Sequence, residues 1–158
     1  LGFEIQAVRS AADLESAVDL FRQYAASLPV DLGYQDFEQE LAGLPGKYAA
    51  PAGEILLARD GEGAAIGCVA MRPLLTDVCE MKRLYVAPGG RGAGLGRSLM
   101  EALVGVARER GYREMRLDTL PTMAEAIAMY RRSGFVPTEP YYEGAPSGTL
   151  FMSLALGS

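Results

Sequence analysis

Apolar and polar residues alternate over residues 3–9, the period-two pattern of a strand with one covered face. Ser10, with Asp13 three places on, then reads as a helix start. Leu14, Ala17, Val18, Phe21 and Tyr24/Ala25 follow at three-to-four spacing, and Pro29 closes that helix. A second helical pattern, Phe37, Leu41 and Leu44, lies within residues 33–45, with Asp36, Glu38 and Glu40 on its other faces. Residues 54–59 and 65–72 are apolar runs joined by Asp60-Gly61-Glu62-Gly63, which predicts a hairpin. After a turn over residues 73–77, residues 78–86 extend the antiparallel ladder. On strict alternation Glu80 shares a face of that strand with Lys82, Leu84 and Val86.

The texture then changes. Pro88-Gly89-Gly90-Arg91-Gly92-Ala93-Gly94-Leu95-Gly96 stops the strand, and a long helix runs on to about residue 110. Leu95, Leu99, Leu103 and Val106 share one of its faces, and Gly111 ends it. Residues 113–119 read as a strand with Met115 and Leu117 alternating against Arg116 and Asp118, so strand, helix and strand form a parallel crossover unit. Pro121 and a Thr122-to-Glu125 capping box open one more helix, with Ala126, Ile127 and Tyr130 inward and Gly134 at its end. Residues 135–137 and 148–156 supply two last strands. An antiparallel meander feeding a single parallel crossover predicts an α+β (mixed α/β) sheet with helices on both faces, not an ordinary doubly wound fold. Without an internal repeat or a linker, 158 residues predict a single domain, 1–158.

Charge and composition remove several functions. A formal net charge of −5 repels phosphate backbones and anionic lipid, so neither nucleic acid nor membrane is an expected partner. No apolar run approaches the roughly 20 residues of a membrane span, and the N-terminus lacks a basic-then-apolar signal pattern; the expected location is the cytosol. The chain begins at Leu1 rather than Met, and a leader removed before it would leave no trace. Cys68 and Cys79 are too few for a disulfide framework or a zinc site, and read as small buried hydrophobes. No histidine is present, which excludes Ser-His and Cys-His nucleophile systems and predicts no metal centre. Proton transfer falls to Glu, Asp, Tyr, Lys, Cys or water.

Five glycines between Gly89 and Gly96, at a strand-to-helix junction, suit a phosphate: the backbone can turn sharply, and a helix N-terminus presents unpaired N–H groups at the positive end of its dipole. A P-loop would need Gly-Lys-Ser/Thr, which is missing. A dinucleotide fingerprint would need a third glycine where Arg97 or Leu99 stands. What remains is Arg91-x-x-Gly94-x-Gly96. Following the strand Met81-Lys82-Arg83-Leu84-Tyr85-Val86, and followed by Ala126-x-x-x-Tyr130-x-x-x-Gly134-Phe135, it resembles the acyl-CoA loop of the Gcn5-related N-acetyltransferase (GNAT) superfamily. The resemblance covers most of the chain and is most specific over residues 80–136.

That resemblance implies a central, mostly antiparallel sheet splayed between its fourth and fifth strands, with acetyl-CoA in the V as co-substrate. Main-chain groups of Leu84, Tyr85 and Val86 would bind the pantetheine arm. The amides of Arg91, Gly92, Ala93, Gly94, Leu95, Gly96 and Arg97 would hold the pyrophosphate. Tyr130 falls on the family's tyrosine, the general acid for the leaving thiolate, although an inward helix tyrosine also simply packs. Glu80, eleven residues before Arg91, matches the catalytic glutamate of histone-acetylating members, and is alternatively an ion-pair partner of Lys82 or Arg83. Met123 stands where many relatives carry an asparagine that contacts CoA. Tyr34, Phe37, Glu38 and Tyr48, with Tyr141, Tyr142 and Glu143, occupy the regions that set acceptor specificity; aromatics with acids suit a cationic amine, and equally suit packing and solvation. The expected activity is transfer of acetyl from acetyl-CoA to a primary amine of a small-molecule or amino-acid-like acceptor. A protein N-terminus or lysine as acceptor, or a non-catalytic acyl-CoA sensor, are the alternatives, and a homodimer is compatible with each.

Overall fold

Residues 55–58 are apolar without alternation because the strand they form, β2 (Glu54–Asp60), is covered on both faces. A computed structural model describes residues 2–157, the side chains of residues 34 and 35 excepted. Ile55 and Leu57 pack under α1 (Ala11–Ala26) and α2 (Phe37–Ala42), against Ala17, Leu20, Phe21, Phe37 and Leu41. Leu56 and Ala58 turn to the opposite layer, built on Leu95, Leu99 and Leu103 of α3 (Leu95–Glu109) and Tyr130 of α4 (Ala124–Arg132). The other strands are β1 (Phe3–Ala7), β3 (Ala65–Leu75), β4 (Val78–Val86), β5 (Glu114–Thr119), β6 (Val136–Pro137) and β7 (Leu150–Ala155). They lie in the order β1-β2-β3-β4-β5-β7-β6, antiparallel except for β4 and β5, which α3 joins as a crossover. The architecture is the mixed, mostly antiparallel sheet with helices on both faces that the alternating patterns predict. No helix among the described residues is long and apolar enough to cross a membrane.

The parallel ladder between β4 and β5 is short. It pairs Val78 with Glu114, Cys79 with Met115 and Glu80 with Arg116, and there the strands part. Beyond Glu80 the edge of β4 has no strand partner, which leaves main-chain donors and acceptors facing a cleft.

Four local expectations give way to tertiary contacts. First, β1 stops at Ala7 because the Arg9 N–H donates to the Asp13 carboxylate while Ser10 Oγ accepts from the Asp13 N–H, drawing residues 8–10 into the start of α1. Second, the predicted second helix is broken: Asp36, left-handed at φ 55°, separates a 3-10 turn (Leu32–Gln35) from α2. Third, the Thr122 capping box does not form. The Met123 N–H closes a turn on the Leu120 carbonyl, so Met123, with no side-chain cap bond, occupies the N-cap of α4. Fourth, a bulge reverses the faces of β4. Lys82 pairs with Ala70 and Tyr85 with Cys68, two residues opposing one, and Arg83 between them has φ 62°. Leu84 and Val86 therefore join Cys79 and Met81 against the α3 layer, and do not share a face with Glu80 and Lys82.

Candidate active site

The glycine loop ends in an open helix terminus. Gly94, φ 72° and ψ 20°, is the N-cap of α3 and makes no side-chain cap bond, so the first-turn N–H groups lack an intrahelical acceptor. A Cβ on Gly92 or Gly94 would meet nothing within 4 Å, and both glycines have positive φ. A diphosphate fits such a cradle: bare amides, the positive end of a 15-residue helix, and no side chain in the way. The flanking arginines are occupied elsewhere. Arg91 Nε donates to the Val86 carbonyl at 3.0 Å, and Arg97 pairs with Glu101 at 3.0 Å along the helix surface.

Where β4 and β5 part, the cleft is lined by Met81, Lys82, Arg83 and Leu84 on one side and Leu117, Asp118, Thr119 and Leu120 on the other. Met123 and Tyr130 close it from α4, Tyr24 and Leu28 from α1 and the turn after it. Tyr130 rests its ring on Phe135, centroids 5.6 Å apart, and burial pushes its phenol above the usual tyrosine range, helped by nearby Tyr24 and Asp118. The phenol is thus held in its protonated form inside the cleft.

On the far side of the β4 bulge lies a larger cavity of about 590 Å³, whose walls include Glu40, Tyr48, Arg72, Lys82, Arg83, Tyr141 and Tyr142. Its floor is a charged network. The Glu80 side chain is fully buried; Oε1 accepts from Arg72 Nε at 2.9 Å, and Oε2 accepts from the Tyr141 hydroxyl at 2.6 Å with Lys82 Nζ at 3.6 Å. Lys82 Nζ also lies 3.8 Å from Asp118 Oδ1, and the Tyr142 hydroxyl donates to the other oxygen of Asp118. Arg83 grips Glu40 through two bonds of 2.9 and 2.8 Å, Tyr48 donates to the same carboxylate, and the guanidinium lies 5.2 Å from the Phe37 ring centroid. Burial pushes the Tyr141 phenol far up, with Glu80 and Asp118 adding to it. For Lys82, burial depresses the ammonium, and Asp118 and Glu80 offset only part of that.

Tyr141 and Tyr142, on the segment before β7, therefore span the split sheet, one bonded to a carboxylate of β4 and the other to one of β5. Both rings pack on Phe151, 5.1 and 5.3 Å between centroids. Of the other residues singled out for the acceptor, Tyr48 and Glu143 line the cavity. Phe37 is buried beneath Arg83, and Glu38 is exposed on the outer side of α2, paired with Arg22 at 3.2 Å. The Tyr34 side chain lies outside the described residues. Sequence reasoning missed Glu40, Arg72 and Asp118. Asp118 left no distinct signal, since it falls with Glu114 and Arg116 on the polar face of an alternating strand; Arg72 sat at a strand end where a solvated cation is expected.

A sheet split beside a bare helix terminus, with a charged cavity across one bulged strand, defines an acyl-CoA N-acyltransferase. The model of the acetyltransferase (GNAT) family matches residues 15–135. An uncharacterized N-acetyltransferase of Schizosaccharomyces pombe is 40% identical over 96% of this chain and 94% of its own length. An aminoglycoside N(6')-acetyltransferase of Klebsiella aerogenes is 32% identical over 64% of this chain and 71% of its own. Among solved structures, one from Klebsiella pneumoniae assigned as an acyl-CoA N-acyltransferase superposes with a TM-score of 0.74 at 27% identity, covering 98% of this chain and 97% of that one. The chain belongs to the acetyltransferase (GNAT) family.

Proposed function

We propose that the protein transfers the acetyl group of acetyl-CoA directly to the primary amine of a small-molecule or amino-acid-like acceptor. The observation that carries this reading is the shared partition: Lys82 and Arg83 on the β4 bulge line both the cleft and the cavity, so thioester and amine can meet across one strand. The cavity volume of about 590 Å³ is that of a small-ligand site. Its rim mixes Asp36 and Glu143 with Lys47, whereas a cationic protein tail calls for a run of acids. Kinship with an aminoglycoside acetyltransferase supports a small acceptor.

Direct transfer also follows from the nucleophiles available. Burial pushes the Cys79 thiol up to about 12 and Cys68 higher still, so neither supplies a thiolate for an acyl-enzyme. The amine nitrogen bonds to the thioester carbonyl carbon and the carbon–sulfur bond breaks. Tyr130 protonates the departing thiolate, and the proton shed by the new amide nitrogen restores the phenol. The unpaired β4 edge and the amides of residues 91–97 hold the co-substrate so that its carbonyl faces the partition.

The test is release of CoA thiol from acetyl-CoA over a panel of primary amines. Saturable, acceptor-dependent release is expected. Tight acetyl-CoA binding with no release for any amine, protein N-termini included, would replace this reading with that of a non-catalytic acyl-CoA sensor.

A further inference from the structure

We propose that Lys82 receives the proton that the acceptor's ammonium group must lose before it attacks, with Glu80 and Asp118 positioning it. The proposal rests on the acetyl-transfer reading of this site and adds the group that touches the amine. An aliphatic ammonium has a pKa of about 10.4, so at neutral pH it arrives protonated, and the chain has no imidazole to relieve it. Glu80, the obvious carboxylate, has no exposed surface and lines neither the cavity nor the cleft. Lys82 lines both.

Its contacts leave room for a ligand. Nζ sits 3.6 Å from Glu80 and 3.8 Å from Asp118, within ion-pair range but longer than a good hydrogen bond. The two carboxylates come from β4 and from β5, so Nζ is held at the point where the strands diverge. Charge counting points the same way. Glu80, Asp118 and Glu40 oppose Arg72, Arg83 and Lys82. With Lys82 neutral the cluster is one negative charge in excess and attracts an ammonium; once Lys82 has taken the proton, the cluster is balanced and the amine is neutral. Burial, which depresses this lysine against the pull of Asp118 and Glu80 and with the help of Arg83 and Arg72, favours the neutral starting state. The residue type matters as well. Of 15 basic residues only Lys47 and Lys82 are lysines, and an arginine in this place could not give up its proton.

The step balances. One N–H bond of the acceptor ammonium breaks as one forms on Nζ, freeing the lone pair that attacks the thioester, and Lys82 returns the proton to water through the cavity before the next turnover.

Two measurements test this. With lysine labelled by 13C at the ε-carbon, the chain gives two signals, and Lys47→Arg identifies which is which. The Lys82 signal is expected to titrate below the ordinary lysine value of about 10.4, and a midpoint at or above that value overturns the proposal. In turnover, Lys82→Met and Lys82→Arg should both lower kcat/KM by about 10²-fold or more at neutral pH, the loss shrinking as pH approaches the acceptor's own pKa. Because Lys82 also lines the cleft, acetyl-CoA affinity is measured in both, and a fall in that affinity that accounts for the whole loss of turnover overturns the proposal. The arginine variant keeps the charge and the ion pairs, so if it retains activity within about threefold, far less than loss of a general base costs, Lys82 is structural and the proposal is overturned. Failure of the underlying reading looks different: wild type then releases no CoA with any amine, and the role of Lys82 falls with it.

Discussion

Gly94 offers the sharpest test of the co-substrate cradle, because its backbone and its surroundings make opposite demands. At φ 72° a non-glycine residue costs roughly 1–2 kcal/mol, or about 2–8 °C in Tm at this chain length. A Cβ there meets nothing within 4 Å, so no steric penalty adds to it. Gly94→Ala should therefore fold with that modest loss, and Gly94→Asp with less, since a short polar side chain tolerates the left-handed region. Acetyl-CoA at 100 times its Kd stabilises the wild type by about 2.7 kcal/mol, roughly 5–11 °C. A carboxylate about 5 Å from a diphosphate meets two charges at nearly 1 kcal/mol each in water, and more in a partly desolvated loop. Affinity then falls by roughly 30-fold or more, and the same ligand concentration stabilises Gly94→Asp by less than about 1 kcal/mol. Thermal melts of the three proteins with and without acetyl-CoA measure all of this. A folded Gly94→Asp protein that keeps the full ligand-induced shift would remove the loop from the binding site.

Other substitutions probe the remaining parts. Tyr130→Phe should keep acetyl-CoA affinity, since the ring still packs on Phe135, and lower turnover by roughly 10² to 10⁴; a rate within about a factor of two of wild type makes Tyr130 a packing residue. Leu103→Ala, at a fully buried site on α3, should cost about 2.7–5 kcal/mol, read as a lower denaturant midpoint at unchanged slope. Glu54→Ala should cost about 1.5–3 kcal/mol at neutral pH, the worth of its charge-assisted bonds, because Arg9 and Arg110 lose the buried carboxylate that pairs both but reach solvent themselves. Burial pushes the Glu54 carboxyl up, but bonds from Arg9 and Arg110 outweigh it and the net shift is downward. Its contribution is therefore complete above the unfolded value of about 4.3 and is lost as pH falls through the lower folded value. The Tm gap between Glu54→Ala and wild type should accordingly close in acid, and a gap that is constant with pH would assign the loss to packing.

The sequence by itself determined the elements and the place of the glycine loop before α3, because both are written in residues close together along the chain. Period two and period 3.6 are local, and so is a run of glycines between a strand and a helix; β4, α3 and β5 lie where those patterns put them. Tertiary structure decided which side chains meet. Glu80 gathers Arg72 from eight residues before it and Tyr141 from 61 residues after it, a combination that no local pattern encodes. Strict alternation put Leu84 and Val86 beside Glu80, and one bulge at Arg83 sent them to the other face. That bulge is held by Glu40 on α2, 43 residues earlier, and by the Cys68 thiol donating to the Arg83 carbonyl. On α2 itself, the local period already parts Phe37 from Glu38, and tertiary structure decided what each meets: Phe37 lies in the core beneath Arg83, and Glu38 faces Arg22 of α1. The split of the sheet was implied by the family resemblance, but the period-two patterns alone make β4 and β5 equal partners; they separate after three residue pairs, where a buried lysine stands between carboxylates from both strands.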